Sequence, residues 1–109
     1  MTYALDLARR MRDHLAGLPD LQEKKMFGGV AFLIGGNLAC GVHGDSMIVR
    51  VGASNYEAAL QRPFTRVFDM TGRPMAGWIM VDPPGCEQDR DLQEWIKQGV
   101  DFARSLPPK

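Results

Sequence analysis

The sequence predicts a two-layer α+β domain, a five-stranded antiparallel sheet with helices on one face, in the order αβββαββα. Three observations predict it. Apolar residues recur at helical spacing at both ends of the chain. The first half holds three apolar runs separated by the turn sequences "GGN" and "GD". A serine with a glutamate three residues later is then followed by two more short apolar runs around "TGRP".

Each element has its own signal. The first helix is expected from Tyr3 to Ala16, because Ala4, Leu7, Ala8, Met11, Leu15 and Leu18 fall on one face. Thr2 is its expected cap and Gly17 its stop. Three strands follow as an antiparallel meander, roughly Lys24 to Ile34, Leu38 to Val42 and Met47 to Val51. The second helix is marked by Ser54 and Glu57, the capping box in which each side chain satisfies the other's backbone N–H, and it should end before Pro63. "TRVFDM" and "GWIMVD" read as the last two strands, and Asp82-Pro83-Pro84-Gly85 as the turn that closes the sheet. In the final helix Leu92, Trp95, Ile96, Gly99, Ala103 and Leu106 make one stripe, with Glu87, Asp89 and Asp91 supplying negative charge near its N-terminus.

The stretch "KKMFGGVAF", Lys24 to Phe32, could suggest a phosphate cradle. Such loops hand the chain to a helix, and a Walker-type loop places Lys after its glycines. Here the lysines come first and "VAFLI" continues as a strand. Gly28 and Gly29 are therefore expected to serve a bulge or a close backbone approach.

The 109 residues suit one domain with its own core, residues 1–109, of which 105–109 form a short tail. Lys plus Arg equals Asp plus Glu at 13 each, so no long-range field favours nucleic acid, an anionic membrane or an acidic ligand. No apolar run is long enough to span a bilayer, and the N-terminus interleaves Asp6 and Asp13 with arginines, unlike a signal peptide. Cys40 and Cys86 lie far apart in different kinds of segment, as expected of reduced thiols in a cytoplasmic protein.

Four blocks, "KKMFGGVAF", the "GGN" turn, "MIVRVG" and above all "FDMTGRPMAGW", resemble the N-terminal domain of the TfoX/Sxy competence regulators, and the likeness runs from the first helix to "FARSLPPK". The resemblance implies a stand-alone domain of that type with a secretion-chaperone-like α+β fold and a five-stranded sheet. It also implies a bacterial regulatory setting, because the full-length regulators promote transcription of competence genes together with the cyclic AMP receptor protein. That receptor and RNA polymerase are therefore the candidate protein partners. The resemblance implies no cofactor and no catalytic residues.

Cys40 and His43, three apart on a strand, point to opposite faces, and with only His14 and Cys86 to join them no metal site is expected. Cys86, in "PPGCEQD", is expected to be an ordinary loop cysteine, more exposed than Cys40; a nearby helix N-terminus that lowers its thiol pKa is the lesser alternative. No Ser, His and acid grouping stands out, so a small enzyme is the remote alternative. Arg9, Arg10 and Arg12 on the solvent side of the first helix, with Lys24 and Lys25 after it, could make a weak nucleic-acid contact, although Asp6, Asp13, Asp20 and Glu23 are interleaved with them. In "FDMTGRPMAGW", Asp69 to Pro74 read as a tight turn. Arg73 between Met70 and Met75 offers a planar cation beside two adaptable thioethers, residue types suited to a protein contact, unless it merely pairs with Asp69 or Asp82. The expectation is a non-enzymatic regulatory or protein-interaction domain with Arg73, Met70 and Met75 at its partner-binding edge.

Overall fold

A computed structural model of the chain describes residues 4–26, 29–69 and 75–108. The elements in chain order are α1 (Leu5–Leu15), β1 (Leu21–Met26), β2 (Gly29–Ile34), β3 (Asn37–His43) and β4 (Ser46–Arg50). A 3₁₀ turn (Ala53–Asn55), α2 (Tyr56–Leu60), β5 (Thr65–Val67), β6 (Trp78–Val81), α3 (Pro83–Cys86) and α4 (Asp89–Ser105) complete them. All strand pairs are antiparallel, in the sheet order β1-β2-β3-β4-β6-β5.

Among the described residues the sheet thus has six strands, not five. The expected strand from Lys24 to Ile34 is two, because β1 ends at Met26 and pairs back on β2 with Met26 opposite Gly29. Gly29 therefore stands at the start of the returning strand. Gly28 lies outside the described residues, but at Gly29 the expected close approach is present: a Cβ there would overlap the carbonyl oxygen of Val42 on β3. A bulge also exists, one strand further on, where the β2–β3 register shifts between Phe32 and Leu33 and leaves Ala39 as the extra residue. The "GGN" turn forms as expected, with Gly35 and Gly36 both at positive φ between Ile34 and Asn37.

The helices follow their stripes with three corrections. Thr2 and Tyr3 lie outside the described residues, and the residue before the first turn of α1 is Ala4, whose side chain offers no cap. The capping box does not form: Ser54 falls inside the 3₁₀ turn, and Asn55, at the N-cap of α2, donates instead to Val51 O at 3.2 Å. The segment Asp82 to Gly85 is not a plain turn, since Pro83, fixed in φ and lacking an N–H, opens the one-turn helix α3 behind Asp82. α2 ends at Leu60, ahead of Pro63, as expected.

One face of the sheet carries the main core. Phe32, Val42, Met47, Val49 and Ile79 meet Met11 and Leu15 of α1 and Leu92 and Trp95 of α4, all buried. Gly99 lets α4 sit directly on the β3 bulge, because a Cβ there would strike Ala39 O. The opposite face is not bare, contrary to expectation. Buried Phe68 packs there on Ile48 and Met80, joined by half-buried Met75 and Trp78, while Ala31, Leu33 and Leu38 form a smaller cluster that Trp78 also reaches. Among the described residues no helix is long and apolar enough to cross a membrane.

Candidate functional site

A cleft of about 480 Å³ opens on this second face, lined by His43 to Ser46, Arg66, Phe68, Asp69, Met80, Asp82 and Pro83. The pairing of β4, β6 and β5 builds it. Met47 stands opposite Val81, so the next pair outward is Ser46 with Asp82, while Arg66 stands opposite Met80. Phe68 and Met80 form a buried apolar floor.

The rim is a closed polar network. Ser46 Oγ donates to Asp82 Oδ1 at 2.8 Å, and Arg66 Nε donates to Oδ1 and Oδ2 of the same carboxylate at 3.0 and 3.3 Å. Partial burial alone would raise the Asp82 pKa, but the hydrogen bonds from Ser46 and Arg66 outweigh it and hold the carboxyl below its ordinary value. Asp82 therefore remains ionised at neutral pH with both oxygens occupied, an arrangement that fixes charge rather than moving protons. The cleft thus has an apolar floor inside a polar rim.

The residues singled out in the sequence lie as follows. Met70 and Arg73 are outside the described residues. Met75 is half-buried, donates its N–H to Phe68 O at 3.0 Å and packs on the cluster of Ile48, Phe68 and Met80. Asp82, considered as a partner for Arg73, is engaged by Arg66.

The basic face of α1 is divided among local acceptors. Arg9 pairs with Asp6. Arg12 donates to both oxygens of Glu23, each at 2.7 Å. Arg10 does not share their solvent side: it is partly buried and donates to Cys86 O and Glu87 O at 3.3 and 2.9 Å, tying α1 to the joint between α3 and α4. Lys24 and Lys25 stand exposed on β1.

Both thiols are buried. Burial pushes Cys40 up to about 12 and Cys86 up to about 11. For Cys86 this corrects the expectation of an exposed loop cysteine and goes against the lesser alternative of an activated thiol, because the residue is buried at the end of α3 and its Sγ lies 3.8 Å from Asp82 O. His14 sits against Asp89 Oδ1 at 2.9 Å, and among the described residues no group of three His, Cys, Asp or Glu side chains is placed to hold a metal.

Sequence reasoning missed Ser46 and Arg66, which carry no local signal because pairing across the sheet assembles them with Asp82. Asp82 was read only as a turn residue and a possible partner of Arg73, although an aspartate before Pro-Pro is a helix-start signal that could have placed it.

Comparison with curated proteins and with solved structures gives no match. The TfoX N-terminal domain matches residues 13–103, from within α1 to near the end of α4 and including every strand that builds the cleft, and the chain belongs to that family.

Proposed function

We propose that this domain is a non-enzymatic regulatory module that acts by binding a protein partner in a transcriptional or competence setting. One observation supports this above others. Asp69 lies on the cleft rim and Met75 packs beside its floor, and these two residues flank Met70 and Arg73 in the sequence. Arginine supplies a planar donor fork, and methionine adapts to a partner's shape. The cyclic AMP receptor protein and RNA polymerase are the partners that membership of the family suggests.

Affinity purification of the domain from its native cell, with Arg73→Ala and wild type in parallel, tests the reading. Recovery of either candidate by wild type, and loss of it by a variant of unchanged melting temperature, supports it. Equal recovery by both proteins removes Arg73 from the interface, and recovery of neither candidate removes the proposed setting.

A further inference from the structure

We infer that the outer edge of β1 is a docking site for an extended acidic segment of a partner protein, added as a seventh strand. The inference rests on the protein-interaction reading and names a surface for it, distinct from the cleft.

The edge is open and its register is defined. β1 is the end strand of the sheet, and Gln22, Glu23, Lys24 and Lys25 are all exposed. Gly35 N–H donates to Asp20 O at 3.1 Å, one pair beyond Leu21 opposite Ile34. In an antiparallel ladder the bonded pairs alternate, so Gln22 and Lys24 exchange bonds with β2 while Glu23 and Lys25 direct their N–H and C=O groups outward. Leu21 agrees with this phase, since its N–H turns away from β2 to Leu18 O at 3.3 Å. An incoming strand would find two donors and two acceptors in line.

Charge selects the occupant. Glu23 is spent on Arg12, whereas no acidic partner is found for Lys24 or Lys25 among the described residues. This edge therefore carries two cations and no free anion. Consecutive residues of a strand point to opposite faces, so the two lysines straddle the sheet. An added strand runs between them and presents side chains to both faces, so adjacent carboxylates on it meet both lysines. A second copy of β1 is a poorer occupant, because it carries the same two cations and its one carboxylate, Glu23, is already paired with Arg12.

The probe is a capped hexapeptide, acetyl-Thr-Val-Glu-Asp-Val-Thr-amide, with its Gln-Asn counterpart as control, titrated into the whole domain and followed by amide NMR. The acidic peptide should shift the amides of residues 21–26, slow hydrogen exchange at Lys25, and bind about fivefold or more tightly than the neutral one, as two cross-strand charge pairs allow. Lys25→Pro removes an outward N–H that no ladder bond uses, so the variant should stay folded and lose the peptide. Lys25→Glu, which keeps the backbone donor, should also lose it.

No shift at 21–26, equal binding of both peptides, or undiminished binding by Lys25→Pro overturns the inference, as does sedimentation showing that the edge is occupied by a second copy. A native partner still captured by folded Lys25→Pro would leave the protein-binding function standing and refute only this edge. Peptide binding at β1 without capture of any native partner would do the reverse.

Discussion

Gly29 and Val42 approach so closely across β2 and β3 that no side chain fits between them: a Cβ on Gly29 would overlap the Val42 carbonyl oxygen, a backbone atom that cannot swing aside. The second glycine of "KKMFGGVAF" thus serves the packing of strands. Gly29→Val is expected to destabilise the domain by about 3 kcal/mol, at the upper end of overpacking penalties. Thermal melting checks it, and a variant melting at the wild-type temperature would mean that the strands separate at no cost.

Trp95 anchors α4. It is 1% exposed, and Arg62 places its guanidinium 4.1 Å from the ring centroid on the outer side. Trp95→Ala should cost about 3–5 kcal/mol, a large part of the stability of a small domain. Urea denaturation measures this directly; a midpoint close to wild type would place the ring outside the core.

The cysteines should be inert in the native state. With pKa values raised to about 12 and 11, both thiols are protonated at pH 8, and both are buried. Iodoacetamide should modify neither at an appreciable rate until denaturant is added, after which both react. Fast native-state alkylation of Cys86, followed by mass spectrometry, would show that α3 opens readily.

Acid should weaken the fold in a defined direction. The hydrogen bonds from Arg12 hold the Glu23 carboxyl below its ordinary value near 4.5, with slight burial opposing them. The folded state therefore binds fewer protons than the unfolded one in this range, so the contribution is present above the unfolded pKa and is lost as pH falls through the folded one. Asp82 and Asp89 shift the same way. The melting temperature should hold from neutral pH down to about 5 and then fall, given ordinary carboxylate values. Glu23→Gln should melt below wild type at pH 7, by a small margin because the pair is exposed, and the gap should close toward pH 3. Parallel curves across the range would show that this ion pair contributes nothing.

The parts of the fold that announced themselves in the sequence bury a periodic face. α4 did so through Leu92, Trp95, Ile96, Gly99 and Ala103. β1 did not: it is an edge strand that packs Leu21 against the main core, and "QEKK" has the polarity of a loop. The apparent capping box misled because Ser54 and Glu57 have the right spacing, while the chain leaving β4 enters a 3₁₀ turn one residue earlier. The cleft was the least legible feature. Ser46, Arg66 and Asp82 are 20 and 16 residues apart in sequence and meet only because β6 inserts between β4 and β5. The second-face cover was half visible, in that Phe68 and Met75 were recognised as apolar but assigned to a strand and to a partner rather than to the domain's own packing.

That insertion also sets an order on folding. β1 to β4 are joined by short turns and can zip one after another, each step closing only a small loop. β6 must find β4 across the whole span from Arg50 to Trp78, and β5 touches the sheet only through β6. The meander is therefore expected to form before the rest arrives, with β5, a three-residue edge strand paired only with β6, expected to be fixed last. The wall of the cleft that carries Arg66 would accordingly be assembled late in folding, from a short strand at the edge of the sheet.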